Sequence, residues 1–467
     1  MVLRLSRSGR NTDAMHFGCL RRCVCIPALL VCLGTWLLSA TPAQAAEQTP
    51  SPAAGAVGLG VDGAATFDAA WQAIHDTFVD EGRTEADWAA LRDEFRPRAA
   101  SAGSPDALRG VLREMLARLG RSHFDVLAAG ASAAASGDGD VNGDLGVEIT
   151  PIDGQPVVTK VLQTGPAGRA GVRPGWVIEQ VGGHDPRLAV SSASAGAAAE
   201  RSGFRLWAAT VGLLRGVTGS TVSVGFRDTS GGSVAFPLTR DAQQGEQVKL
   251  GYLPTLAAHL EQRLLTTPGG RQVGYIHFNV WLPALAPAID RAVDASRGAA
   301  GIVLDLRQNP GGVLTMLMGV SGHFFDSPRS LGTLRTRDSE LRLIANPRFV
   351  SAAGTRVSPY SGPVAILVDE TSYSASEVFA GGMQAAGRAR VFGARTPGGA
   401  LPALMRKLPN GDVLEYAIAD FVTVSGERIE GRGVVPDERV ERSRVAVAAG
   451  EDAVLDAAVR WAAGGAP

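Results

Sequence analysis

The chain has 467 residues, 45% of them hydrophobic and 6% aromatic, which is enough apolar material for several cores and predicts two or three domains. Its formal charge is -1, with acids and bases interspersed, so it carries no basic stripe for nucleic acid or an anionic membrane; a protein or peptide is the partner to expect. All four cysteines, Cys19, Cys23, Cys25 and Cys32, lie in the first 45 residues.

Residues 1–45 read as a signal peptide. Basic residues end at Arg21 and Arg22, an apolar run extends from Cys23 to Leu38, and Ala43-Gln44-Ala45 supplies a small-x-small cleavage site. The run is shorter than the ~20 residues that span a bilayer. No integral membrane segment is expected after cleavage, and the mature chain is expected in the periplasm or secreted. Cleavage removes five arginines and one aspartate, leaving a mildly acidic chain, and removes every thiol, which excludes disulfides and cysteine catalysis.

Residues 46–62 are rich in Ala, Gly and Pro and read as a disordered tether. Over 63–127, Phe67, Trp71, Ile74 and Phe78, then Trp88, Leu91 and Phe95, then Leu108, Leu112, Met115 and Leu119 recur at helical spacing, predicting about three helices that close at Gly120-Arg121-Ser122-His123. A Gly/Ser/Ala/Asp-rich stretch separates these from 141–242, where short β-like runs alternate with turn signals. From 250 to 467, strand and helix patterns alternate: strands at Gln272–Phe278, Gly301–Leu306 and Val364–Val368, helices near Leu285–Val293, after Gly312 and over Ala375–Ala386. An α/β core follows from that alternation.

The strongest chemical signal is the apolar strand Val364–Val368 running through Asp369-Glu370-Thr371-Ser372-Tyr373-Ser374 into a helix. A hydroxyl at such a turn meets the free amides of the first helical turn, which favour the negative charge that an attacking serine generates. On local pattern alone Ser374 reads first as a helix cap, with Glu377 three residues on completing a capping box. No H-E-x-x-H, G-x-S-x-G or P-loop pattern is present, and no metal or cofactor is called for.

Motifs decide between these readings. Asp144-Leu145-Gly146-Val147, Gly165-Pro166-Ala167 and Ala170-Gly171-Val172-Arg173-Pro174-Gly175-Trp176 resemble a bacterial PDZ domain, with Trp176 where the turn pattern has Asp. The resemblance implies that Leu145, Gly146 and Val147 bind a peptide's terminal carboxylate. Ser374-Ala375-Ser376-Glu377, Gly387-Arg388-Ala389-Arg390-Val391-Phe392-Gly393, Asp305-Leu306-Arg307-Gln308-Asn309-Pro310-Gly311-Gly312 and Glu430-Gly431-Arg432-Gly433-Val434-Val435-Pro436-Asp437 resemble the tail-specific, or C-terminal processing, serine peptidases in the right order. That implies a spiral crotonase/ClpP-like α/β core, Ser374 as nucleophile, and an oxyanion hole from Gly311 or Gly312 together with Ala375. Where that family carries its base lysine, 25 residues past the nucleophile, this chain has Gly399, and its three lysines, Lys160, Lys249 and Lys407, lie elsewhere. Ser122-His123 and Glu430 instead match the tricorn-like branch, implying His123 as general base with Ser122 and Glu430 fixing its tautomer. Activity is then expected to rise through neutral pH, near the unperturbed histidine pKa of about 6.5. The alternative is a non-catalytic PDZ/crotonase-like binding or scaffold protein that has lost the family lysine.

Overall fold

A computed structural model describes residues 31–33, 62–78, 82–129, 142–188 and 201–464. The signal-peptide and tether assignments lie outside these, apart from Asp62 and the backbone of a strand at Val31–Leu33.

Three helices, Gly63–Thr77, Glu85–Ala100 and Pro105–Ala117, open on side-chain caps: Asp62 accepts from the Ala65 amide, Thr84 and Asp87 form a reciprocal capping box, and Ser104 precedes Pro105 at the first helical position. Their apolar stripes bury Phe67, Ile74, Phe95 and Leu112. This cluster is completed by Leu401, Leu408, Leu414 and Tyr416 from the other end of the chain. The strand Asp125–Leu127 makes the same junction, pairing antiparallel with Val413–Ala417, which also pairs with Ala403–Lys407. The helical region therefore shares its core with residues far along the chain, and that junction fixes where His123 stands.

Segment 141–242 contains a five-stranded antiparallel sheet in the order 147–152, 155–161, 177–181, 221–227, 233–239. Gly143–Asp144 pairs with Asp241–Ala242 where the segment leaves and rejoins the chain. The helix Ser202–Leu214 lays Phe204, Trp207 and Leu214 on this sheet, and Trp176 packs against Phe226 and Phe236. The aromatic in that turn thus extends the local core.

The remaining residues form a six-stranded sheet in the order 260–266, 272–278, 301–305, 364–368, 390–393, 438–439; the first pair is antiparallel and the others are parallel. Gly301–Asp305 and Val364–Val368 are buried throughout, as expected of strands covered on both faces. Helices Ala286–Ser296 and Ala375–Ala385 cover one face, and Ala453–Ala462 covers the other. The strand read as ending at Leu306 stops at Asp305, whose carboxylate turns back to accept the Arg307 amide and guanidinium. The whole is a mixed α/β, multidomain architecture.

Candidate active site

Two adjacent parallel strands, 301–305 and 364–368, deliver the loops 306–312 and 369–374 from their carboxyl ends, where open α/β sheets place ligand sites. Side chains stitch the loops together. Ser372 Oγ donates to the Leu306 carbonyl at 2.9 Å, Ser376 Oγ donates to the Asn309 carbonyl at 3.0 Å, and Trp281 Nε1 donates to Ser376 Oγ at 3.0 Å. Two of the three neighbouring serine hydroxyls are thereby committed to structure. The third, on Ser374, faces His123 Nε2 at 3.0 Å.

His123 is held from three sides. Its Nδ1 lies 2.8 Å from Ser122 Oγ, and Ser122 Oγ donates to Glu430 Oε2 at 2.7 Å. A serine hydroxyl has one proton, so with that proton on Glu430 it accepts the Nδ1 proton; Nε2 is left with its lone pair toward Ser374. Glu430 also accepts from the Ser122 amide at 2.9 Å and the Ala400 amide at 3.0 Å, with Arg201 Nη1 3.8 Å away. The imidazole stacks on Tyr373, ring centroids 5.2 Å apart, and Tyr373 stacks in turn on Phe204 at 4.1 Å. His123, Ser122, Ser374 and Glu430 are all buried. Burial, then the Arg201 charge, pushes the imidazole down to about 3, which keeps it neutral and able to accept a proton.

Ser374 itself has φ 58°, a left-handed conformation that a side chain rarely adopts; it is held there while its amide donates to the Gly399 carbonyl at 3.1 Å and to Glu377 Oε2 at 3.2 Å. Glu377 was legible only as a capping residue. Its buried carboxylate also accepts from Thr396 Oγ1 at 2.5 Å and from the Gly398 and Gly399 amides at 2.7 and 2.8 Å, so it anchors the loop opposite the serine. Burial pushes this carboxyl up to about 7, against the pull of those donors.

Gly399, where a base lysine was sought, explains its own identity. A Cβ there would overlap the Tyr373 ring. That ring, pinned between His123 and Phe204, fills the space a longer residue would need. Gly399→Ala should therefore cost ~1–3 kcal/mol by overpacking, read as a lowered midpoint in thermal or urea denaturation. An unchanged midpoint would show that the ring yields freely.

The glycine loop narrows the pair left open by the sequence. The Gly311 amide donates to Asn309 Oδ1 at 3.0 Å and is already committed, which corrects its placement among the anion donors. Trp281 takes the Gly311 carbonyl and the Val313 amide, so by strand alternation Gly312 presents its amide from the opposite edge. On that edge the backbone of Val31–Leu33 pairs antiparallel with Gly311–Val313, Cys32 opposite Gly312. Ala375 begins the 375–385 helix, where an amide has no intrahelical acceptor.

Just before the edge strand 147–152, Leu145 is buried and Gly146 has φ 72°. The Gly146 amide donates to Asp144 Oδ1 at 2.7 Å, so a carboxylate already sits on it, and Val147 begins the edge strand. Leu145 lies in the same hydrophobic cluster as Phe204 and Tyr373, the latter next to Ser374 in the chain. Gln308, Asn309 and Tyr373 lie inside the motifs read from the sequence but were given no role there, and Arg201 lies in no motif; the parts these four play are recognisable only by their partners.

Comparison with known proteins agrees with this architecture. Residues 272–440 match the family model of peptidase family S41, and 64–117 match that of the tricorn protease C1 domain. The chain is 27% identical over 379 residues to the chloroplastic carboxyl-terminal-processing peptidase 3 of Arabidopsis thaliana, covering 80% of this chain and 68% of that one. It is 26% identical over 386 residues to a carboxyl-terminal-processing protease of Picosynechococcus, covering 81% and 83%. Its fold is similar to that of a photosystem II D1 C-terminal processing protease, with a TM-score of 0.55 at 24% identity over 82% of this chain and 94% of the other. The chain thus carries an S41 peptidase domain behind a tricorn C1 domain, is homologous to the C-terminal-processing peptidases, and is a serine-type peptidase.

Proposed function

We propose that the chain is an exported endopeptidase of the tricorn-like branch, cleaving proteins through an acyl-enzyme on Ser374. The observation that carries this is the continuous line from Ser374 Oγ to His123 Nε2, and from Nδ1 through Ser122 Oγ to Glu430, with contacts of 3.0, 2.8 and 2.7 Å. In the acylation step Ser374 Oγ bonds to the scissile carbonyl carbon as its proton passes to Nε2. The oxyanion is received by the amides of Gly312 and Ala375. The intermediate collapses when Nε2 returns that proton to the leaving amine; water, activated by the same imidazole, then releases the acid product. Ser122 and Glu430 hold the Nδ1 proton in place and steady the imidazolium while it exists.

An extended substrate suits the edge at Gly311–Val313, because that edge takes the Val31–Leu33 backbone as an added antiparallel strand. Segments 141–242 and 250–467 are read as a PDZ-like domain and a crotonase/ClpP-like core. The export reading rests on residues 1–45. Acid-quenching a reaction with an excess of peptide ester tests the function: a mass increase equal to the acyl group on the peptide containing Ser374 is expected, and turnover without any such adduct would contradict the acyl-enzyme.

For the PDZ-like segment, recognition of a free C-terminus is proposed through the loop at Leu145, Gly146 and Val147, a ligand carboxylate replacing that of Asp144 on the Gly146 amide. Amidating a substrate's C-terminus should raise KM ~10-fold, the loss of one charge-assisted hydrogen bond. Equal KM for amidated and free peptides would remove C-terminal recognition from the account.

A further inference from the structure

Among the described residues, four non-glycine residues have positive φ: His123, Asp153, Gln308 and Ser374. Asp153 lies in a two-residue turn between paired strands, where such backbone is ordinary. His123 and Ser374 face one another in the site. Gln308, at φ 62°, has no role in the proton path, yet it is held as firmly as they are. Its amide donates to Thr371 Oγ1 at 2.7 Å, its side-chain Oε1 accepts from Trp207 Nε1 at 2.8 Å, and its Nε2 donates to the Ile149 carbonyl at 2.7 Å and to Thr150 Oγ1 at 3.1 Å. Trp207 lies on the helix of the five-stranded domain, and Ile149 and Thr150 lie on its edge strand. Every side-chain bond of Gln308 is therefore made to that domain, while its backbone belongs to the loop that carries the glycines.

The next residue transmits the constraint. Asn309 Oδ1 holds the Gly311 amide, and its carbonyl accepts from the Tyr373 amide at 3.2 Å and from Ser376 Oγ at 3.0 Å. A rotation at Gln308 would shift Asn309, and with it both the glycine strand and the turn that presents Ser374. Left-handed backbone at a glutamine relaxes unless other bonds hold it. Here those bonds come from the five-stranded domain.

We infer that Gln308 is a positioning residue: through its side-chain amide the five-stranded domain sets the geometry of the Asn309–Gly312 loop, and so of the Gly312 amide. The inference rests on the reading of Ser374 as nucleophile with Gly312 as oxyanion donor. It makes the domain part of the acylation machinery for substrates that never touch it.

The test uses the full mature chain with Gln308→Met, which keeps the length and removes the polar head, and Trp207→Phe, which removes one donor from the other side. Each is assayed on a protein substrate and on a small p-nitrophenyl ester too short to reach the five-stranded domain, with the labelling rate of Ser374 by a fluorophosphonate in parallel. A misplaced oxyanion donor lowers kcat and leaves KM nearly unchanged, because the contact exists only in the transition state. Each variant should lose ~10-fold or more in kcat on both substrates, part of the ~100-fold that deleting a donor outright costs, and label correspondingly slowly. The double variant should be little worse than either single one, since both cut the same bond. Ester turnover equal to wild type in a folded Gln308→Met or Trp207→Phe protein, with only KM for protein raised, would overturn the inference and make these residues part of substrate binding. Failure of the wild type to label at Ser374 would overturn the underlying reading instead, which separates the two.

Discussion

Replacing Ser374 with alanine should abolish peptide hydrolysis, a fall of about 10⁶-fold in kcat if the serine and its base act as one unit. Ser372→Ala and Ser376→Ala should keep part of the activity. The hydroxyls of Ser372 and Ser376 are spent on the Leu306 and Asn309 carbonyls, so their loss costs stability, on the order of 1–3 kcal/mol for each orphaned partner, before it costs chemistry. Ser374 stands at the head of the 375–385 helix, and losing its hydroxyl should lower stability by only about 1 kcal/mol. Steady-state kinetics beside urea denaturation separates the two effects; an active Ser374→Ala enzyme would remove the nucleophile from the account.

His123→Ala should fall by ~10⁴-fold or more, while Ser122→Ala and Glu430→Gln should lose less, since they orient the base and do not transfer its proton. The pH profile carries the sharper expectation. A protonated imidazole cannot accept from Ser374, so activity is lost as pH falls through the His123 pKa. With the Gly311–Val313 edge occupied by a strand, burial first and Arg201 second push that pKa down to about 3. The acid limb of kcat, which reports the occupied site, should therefore lie below 6.5, not at the neutral position that an unperturbed histidine implies. A limb at or above 6.5 would show that the imidazole is better hydrated, or better paired with Glu430, than this geometry implies.

Ser374, His123, Ser122 and Glu430 were legible in the sequence because each sits in a short motif, and the structure brings all four into one line. The reason for the missing lysine was not legible. Gly399 reads as a turn residue, and only the fold reveals that the Tyr373 ring occupies the space beside it. Gly311 and Gly312 could not be told apart along the chain; the Asn309 side chain and the pairing with Trp281 distinguish them. The strand Asp125–Leu127 is three residues long, too short for periodicity to register, yet its pairing with Val413–Ala417 fastens the helical region to the core and sets His123 in place. Arg201 and Gln308 likewise act through partners more than 150 residues away, Glu430 and Ile149; no motif marks Arg201, and the motif that contains Gln308 does not reveal its partner.

The central claim is that Ser374 is made nucleophilic by His123. Reacting the chain with a fluorophosphonate at pH 7.5 and mapping the adduct by peptide mass spectrometry tests it most directly: one adduct is expected, on Ser374, formed rapidly by the wild type and slowed by orders of magnitude in folded His123→Ala. Labelling of Ser374 at an equal rate in both proteins, or no labelling of Ser374 in the wild type, would contradict it.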